Sequence, residues 1–148
     1  SGLARGGVRP IFAVYSTFLQ RGFDEVMTDL CIDSVPVILA IDHSGYVDGD
    51  GVTHQGVFDS GYLSMIPNLI VASPKDGEEL SNMLDFSLTQ NKPIAIKYPK
   101  NRIPNPMTFP FRKHTVNFDF QVHRNISCIF FLIRMDTDHS ARFFQMLF

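Results

Sequence analysis

Four short apolar runs, separated by stretches with helical periodicity, constrain the fold of this sequence more than any other feature. The runs are Pro10–Tyr15, Val37–Ile41, Leu69–Ala72 and Ile94–Tyr98. Continuous apolar runs of this length are typical of strands that are covered on both faces. Because strands alternate with helical stretches, the sequence predicts an α/β fold, a three-layer α/β/α arrangement around a parallel sheet.

Two of the intervening stretches carry apolar residues at the spacing of one helix face. The first stripe is Leu19, Phe23, Val26, Met27 and Leu30, and the second is Leu80, Met83, Leu84 and Leu88. Ser16 or Thr17 is predicted to cap the first helix, and Ser73-Pro74 is predicted to open the second. A short helix is expected over Phe58–Met65.

The chain divides into two parts by its use of phenylalanine. Nine of the 14 phenylalanines fall in residues 105–148, where periodicity is weak, although Ile126–Ile133 could be a strand. Residues 1–104 are therefore predicted to form the α/β domain. Residues 105–148 are expected to be an irregular tail, either poorly ordered or produced by an altered reading frame.

Composition excludes several classes of function. The net charge is −2 and no apolar run reaches the length of a membrane span, so neither nucleic acid nor a membrane is expected as a partner. Two cysteines do not make a disulfide framework, and Cys31 falls on a helix face as a small buried residue. A reducing, cytoplasmic setting is the default expectation.

The glycine-rich stretch 41–56, with three aspartates and two histidines, follows the second apolar run. It is predicted to be a long loop at the carboxyl end of a buried strand, where open α/β sheets bind ligands. Asp50 and His54 are four residues apart and are the candidates for proton transfer. The alternative is a surface loop in which Asp50 bonds its own turn and His54 is solvated.

Residues after the first strand are further candidates for a ligand site. Phe18 could stack on a flat heterocycle and Arg21 could pair with an anion, beside Tyr15 at the strand end. The alternative places Phe18 in the core and Arg21 on an exposed helix face. No metal ligand is predicted: Asp48 and Asp50 could supply two carboxylates of a calcium loop, but Tyr46 stands at its first position, where an aspartate is needed.

Basic residues follow two other strands. Lys97 and Lys100 flank the end of the fourth apolar run, and His43 follows the second. Three basic groups at strand ends would suit a phosphate, although single surface lysines are the commoner explanation.

Several of these residues belong to motifs that occur together, in order, in one enzyme family. The motifs are YSTFLQR at Tyr15–Arg21, DGVTHQG at Asp50–Gly56, IPN at Ile66–Asn68 and KYPKN at Lys97–Asn101. Together they resemble the 1-deoxy-D-xylulose-5-phosphate synthases, which are transketolase-like thiamine-diphosphate enzymes. The resemblance covers residues 1–101 and corresponds to the pyrimidine-binding domain.

The resemblance implies a reaction and roles for individual residues. In this family pyruvate loses CO2 on the cofactor, and the remaining two carbons join glyceraldehyde 3-phosphate, a step toward isoprenoids and thiamine. The implied roles are cofactor packing for Phe18, substrate contacts for Tyr15 and Arg21, proton transfer or substrate contact for Asp50 and His54, and phosphate binding for His43 and Lys97.

The resemblance also implies what the chain lacks. The family's domain for Mg2+ and the cofactor diphosphate, the first strand of this domain and an activating glutamate are not found in the sequence. The chain is therefore expected to be an inactive fragment of an enzyme that is a homodimer in the cytoplasm or plastid stroma. The alternative is a non-catalytic α/β domain that binds a partner chain or an anion.

Overall fold

A six-stranded mixed sheet with helices on its faces forms the framework of the protein. The computed structural model describes residues 1–100 and two later strands. The strands are β1 (Arg9–Tyr15), β2 (Ile38–Asp42), β3 (Ile70–Ala72), β4 (Ile94–Lys97), β5 (Ile129–Met135) and β6 (Ala141–Met146). The α-helices are α1 (Gly2–Arg5), α2 (Ser16–Leu19), α3 (Phe23–Glu25), α4 (Asp59–Ser64) and α5 (Gly77–Thr89). The four predicted strands are thus confirmed within one or two residues of their expected ends.

The strands lie in the order β3-β4-β2-β1-β5-β6, and the first four are mutually parallel. The expectation of an irregular tail is wrong at β5, which pairs antiparallel with β1, and at β6, which pairs antiparallel with β5. Backbone hydrogen bonding at the open edge of β1 accounts for this, since an unpaired edge accepts a further strand. The remaining residues of the tail lie outside the described part of the chain.

Side chains of β2 alternate between two cores, one on each face of the sheet. Leu39 and Ile41 pack with the helical stretch after β1 and with Leu63 of α4. Ile38 and Ala40 pack on the opposite face against Met83 of α5. Both predicted apolar stripes face these cores, so the three-layer α/β/α architecture is confirmed.

The helical stretch after β1 continues from residue 16 to residue 31 with changes of pitch. A 3-10 turn (Gln20–Gly22) follows α2, and a π-helical segment (Val26–Cys31) follows α3. The prediction that Ser16 or Thr17 caps this helix is wrong, because the helix begins at Ser16 without a side-chain cap. The Ser16 hydroxyl is used elsewhere, as described below.

The start of α5 also differs from the prediction. Helix α5 begins at Gly77, and the Asp76 carboxylate caps it by accepting a hydrogen bond of 2.9 Å from the backbone N–H of Glu79. Glu79 in turn accepts from the backbone N–H of Lys75 at 2.7 Å. A carboxylate that accepts a hydrogen bond from an N–H of the first helical turn stabilises the start of the helix better than the Ser73-Pro74 arrangement would.

Candidate functional site

The site forms where β1 and β2 end side by side. Tyr15 and Asp42 are direct partners in the parallel ladder, so the residues after them begin at the same edge of the sheet. The loop after β2 folds back on itself through a bridge between Gly45 and Gly56, whose two hydrogen bonds are both 2.8 Å. This bridge holds residues 46–55 above the strand ends.

Left-handed backbone positions and one glutamine shape the loop. Gly45, Gly49 and Gly51 have φ angles of 85°, 81° and 79°, which residues with a Cβ rarely adopt. The Gln55 side chain accepts from the N–H of Val47 at 2.8 Å and donates to the carbonyls of Val47 and Gly51 at 3.0 and 2.8 Å. Gln55 thereby replaces, within the loop, the backbone pairing that a regular strand would provide.

Tyr15 is the centre of the site. Its hydroxyl donates to Asp50 Oδ2 at 2.8 Å and lies 3.2 Å from the carbonyl oxygen of His54. Its ring stacks on His43, with centroids 4.1 Å apart, and meets the rings of Phe18 and His54 at 5.1 and 5.6 Å. Tyr15, at the end of β1, therefore contacts every other member of a cluster that also comprises Phe18, His43, Asp50 and His54.

Asp50 receives positive charge as well as the tyrosine hydroxyl. Lys100 Nζ lies 2.7 Å from Asp50 Oδ1, and His43 Nε2 lies 3.7 Å from Oδ2. The hydrogen bonds from Lys100 and Tyr15 hold the pKa of Asp50 below its ordinary value of 3.8, against the opposing effect of desolvation. Asp50 is therefore a carboxylate at neutral pH and acts as an acceptor.

The same contact affects Tyr15 in the opposite direction. Burial raises the pKa of the Tyr15 phenol above its ordinary value of 10.0, and the hydrogen bond to Asp50 and the charges of Asp50 and Asp42 raise it further. Tyr15 therefore remains a neutral hydroxyl donor over the physiological range.

His43 is buried between two carboxylates. Its backbone N–H donates to Asp42 Oδ1 at 2.6 Å, and its Nδ1 lies 3.0 Å from Asp42 Oδ2. That ring contact is at ion-pair distance, although Nδ1 makes no hydrogen bond within the described residues. The residue has a φ of 57°, an uncommon angle for a residue with a Cβ.

Phe18 gives the site an open aromatic surface. Its side chain is 43% exposed, and its ring meets the His54 ring edge-on at 5.8 Å. His54 Nδ1 lies 2.9 Å from Thr53 Oγ1. An apolar ring beside a histidine can pack on a flat ligand while the histidine reaches a polar atom of that ligand.

Five of the seven site residues predicted from sequence converge on this cluster: Tyr15, Phe18, His43, Asp50 and His54. Arg21 is exposed and Lys97 is half-buried, and neither side chain makes an ion pair or hydrogen bond within residues 1–100. Lys100, rather than Lys97, lies beside Asp50. The sequence had marked Lys100 only as one of two lysines near a strand end.

Sequence reasoning missed a buried polar group behind the cluster. The Asp59 side chain is 1% exposed and accepts hydrogen bonds of 2.7 Å from the hydroxyls of Ser16 and Ser44. The available signal was position, because these two serines directly follow Tyr15 and His43.

Residues that the structure describes contain no group of three or more side chains placed to hold a metal ion. Within the same residues, no helix has both the length and the apolar character needed to cross a membrane.

The part of the chain that carries the site also matches known proteins in sequence. Residues 1–106 match the family model described as transketolase, pyrimidine binding domain. The 1-deoxy-D-xylulose-5-phosphate synthase of Clostridium tetani is 56% identical over 100 residues, and that of Natranaerobius thermophilus is 54% identical over 102 residues. These matches cover 68% and 69% of this chain but only 16% of each relative, so the chain spans a small part of their length.

Solved structures give the same fold. A split-gene transketolase described as an inactive β4 tetramer aligns with a TM-score of 0.63 at 22% identity, covering 76% of this chain and 36% of that chain. The transketolase from Leishmania mexicana aligns with a TM-score of 0.54 at 28% identity, covering 57% of this chain and 13% of that chain. The parallel sheet with its helices is thus the transketolase arrangement.

Proposed function

The chain belongs to the family of transketolase pyrimidine-binding domains, and from this premise we propose that it serves a 1-deoxy-D-xylulose-5-phosphate synthase. The reaction would join pyruvate and glyceraldehyde 3-phosphate, with loss of CO2, to give 1-deoxy-D-xylulose 5-phosphate. The observation that carries the proposal is the convergence of Tyr15, Phe18, Asp50 and His54 at the carboxyl ends of adjacent parallel strands.

Thiamine diphosphate is the proposed cofactor, and the exposed ring of Phe18 fits its pyrimidine. When bound, the cofactor supplies the carbon chemistry, while the protein orients the reactants and moves protons. Aromatic stacking of this kind contributes about 0.5–1.5 kcal/mol beyond simple burial. We propose that Mg2+ and the diphosphate are held by residues other than those described, which show no cluster of metal ligands.

His54 is the proposed proton-transfer or hydroxyl-binding group. Its ring lies against the edges of Tyr15 and Phe18, and its carbonyl lies 3.2 Å from the Tyr15 hydroxyl. Because Tyr15 stays neutral, its hydroxyl donates to the Asp50 carboxylate and lies beside the His54 carbonyl, at the backbone that carries the His54 ring. Asp50 would then be an acceptor for a substrate hydroxyl, with Arg21 a further proposed residue of the substrate pocket.

Lys100 and His43 are the proposed partners of the substrate phosphate. Both approach Asp50, Lys100 at 2.7 Å and His43 at 3.7 Å, and so place two basic groups at one side of the cluster. Lysine acts as a point charge without the bidentate geometry of arginine. Lys97, which the sequence had suggested for this role, is a weaker proposal because it does not contact the cluster.

A chimaeric enzyme tests the proposed function directly. The segment of the C. tetani synthase that matches this chain would be replaced by residues 1–100, and formation of 1-deoxy-D-xylulose 5-phosphate would be measured. We expect an active chimaera. His54→Ala should lower kcat by about 10²–10⁴-fold, the usual contribution of a general acid or base.

Phe18→Ala supplies a second test with a matched control. Phe18 and Phe86 are both 43% exposed, but only Phe18 lies in the cluster. Phe18→Ala should weaken thiamine diphosphate binding up to about tenfold, the equivalent of 1.4 kcal/mol, whereas Phe86→Ala should leave it unchanged. A correctly folded chimaera without activity, or equal effects of the two substitutions, would contradict the proposal.

A second candidate function is binding of a partner chain. Tyr46, Val52 and Phe58, on the loop and the residues after it, are 87%, 95% and 68% exposed, which is unusual for large apolar side chains near one another in sequence. Such a surface would also serve the homodimer proposed for the intact enzyme. Size-exclusion chromatography at several concentrations should show association that is lost in Phe58→Ser, and a constant monomer would exclude this candidate.

A further inference from the structure

A buried carboxylate ties together the two strand ends that carry the site. Asp59, at the start of α4, is 1% exposed, and each of its oxygens accepts one hydrogen bond of 2.7 Å. The donors are Ser16, which is fully buried, and Ser44, which is 7% exposed. Burying a carboxylate is costly unless its oxygens are hydrogen-bonded, so this arrangement strongly favours one relative position of the three segments.

The two serines are neighbours of site residues in the sequence. Ser16 directly follows Tyr15, and Ser44 directly follows His43. The rings of Tyr15 and His43 stack with centroids 4.1 Å apart. Fixing the two serines on one carboxylate therefore fixes the separation of the two stacked rings.

The space around this connection is filled. A Cβ added at Gly56 would lie 2.4 Å from the Ser16 hydroxyl oxygen, 2.4 Å from the His43 carbonyl oxygen and 2.9 Å from Ser44 Cα. The loop end is therefore packed directly against both serine-bearing segments. Movement of either serine away from Asp59 would be transmitted to the loop that carries Asp50 and His54.

We propose that Asp59 is a positioning residue, which acts through Ser16 and Ser44 to hold Tyr15 and His43 in stacked contact. Through Tyr15, this contact keeps Asp50 and the His54 backbone in place. The importance of Asp59 for catalysis rests on the proposed function, but its effect on the geometry does not, because it can be measured without cofactor or substrate.

The test uses the 148-residue chain and three variants, Asp59→Asn, Ser16→Ala and Ser44→Ala. An asparagine has one acceptor oxygen and an NH2 donor, so it can accept from only one serine in the original manner. Nuclear Overhauser contacts between the Tyr15 and His43 rings report their stacking. The titration of the Tyr15 phenol, followed by NMR of labelled tyrosine, reports its contact with Asp50.

Ser87→Ala is the matched control. Ser87 is also fully buried and donates a hydrogen bond of 2.7 Å to the Leu84 carbonyl, but it lies on α5, away from the site. Its loss removes one buried hydrogen bond to a neutral carbonyl and should cost less stability than loss of a bond to a buried carboxylate, while leaving the ring contacts and the Tyr15 titration as they are in the parent chain.

We expect each site variant to lose the Tyr15–His43 ring contacts and to shift the pKa of Tyr15 toward its ordinary value of 10.0. If Asp59→Asn does not fold, the two serine variants decide the question. Serine variants that lose stability but, like Ser87→Ala, keep the ring contacts and the Tyr15 titration would overturn the proposal. A chimaera without activity beside positive NMR results would instead refute only the proposed function.

Discussion

Substitution of Gly56 by alanine is the most direct test of how the loop is packed against the sheet. The added Cβ would meet two oxygens at 2.4 Å and one carbon at 2.9 Å, distances at which neighbouring atoms must move. Two of these neighbours are backbone atoms of His43 and Ser44, which cannot rotate away as a flexible side chain can. The strain must therefore displace the loop or the end of β2.

The magnitude follows from two contributions. Overpacking of a filled site costs about 1–3 kcal/mol. Displacement would also weaken the two 2.8 Å hydrogen bonds between Gly45 and Gly56, and each such bond contributes about 1 kcal/mol net. We expect Gly56→Ala to lower the free energy of unfolding by about 3 kcal/mol.

Urea denaturation measures this change, with Gly61→Ala as the matched control. A Cβ at Gly61, in α4, has no heavy atom within 4 Å, and alanine is favoured over glycine in a helix by up to about 1 kcal/mol. Gly61→Ala should therefore be neutral or slightly stabilising. A midpoint for Gly56→Ala equal to that of the parent chain would refute the packing argument, because it would mean that the loop accommodates the methyl group without cost.

Two further predictions concern charge and core packing. Lys100→Ala should raise the pKa of Asp50, followed by carboxylate NMR, whereas Lys97→Ala should not. A carboxyl whose pKa is lowered by folding stabilises the fold above its unfolded-state pKa, and this stabilisation is lost as the pH falls through its folded-state pKa. Lys100→Ala should therefore also reduce the dependence of stability on pH in the acid range. Equal titration of Asp50 in both lysine variants would exclude the assignment of Lys100. Met83→Ala, at a fully buried position, should cost about 2–5 kcal/mol, while Met65→Ala, at a position 70% exposed, should change the unfolding free energy little; similar losses for both would contradict the core described above.

The sequence by itself determined the strands and the helical stripes, and it named most of the residues that converge at the candidate site. Strands and stripes are local patterns, in which each apolar residue marks a face through spacing alone. Tyr15 and His43 could be placed at the site because Tyr15 ends one apolar run and His43 follows another, and the carboxyl ends of parallel strands share an edge. The motif resemblance added Phe18 as a cofactor contact, which its open position in the structure supports.

Helix starts were less predictable, because neighbouring residues compete for the same role. Both Ser73 and Asp76 are good capping residues. The local geometry favours Asp76, whose carboxylate reaches the N–H of Glu79. Nothing in the spacing of the sequence separates the two.

Only the tertiary structure decided which distant polar groups meet. Tyr15 and Asp50 are 35 residues apart, Ser16 and Asp59 are 43 apart, and Lys100 and Asp50 are 50 apart. Such contacts depend on how the loop folds back over the strand ends, which the Gly45–Gly56 bridge and the filled space at Gly56 control. Because hydrogen bonds require groups to approach within about 3 Å, a shift of one residue in that loop would change every partner, and local sequence patterns do not define positions so closely.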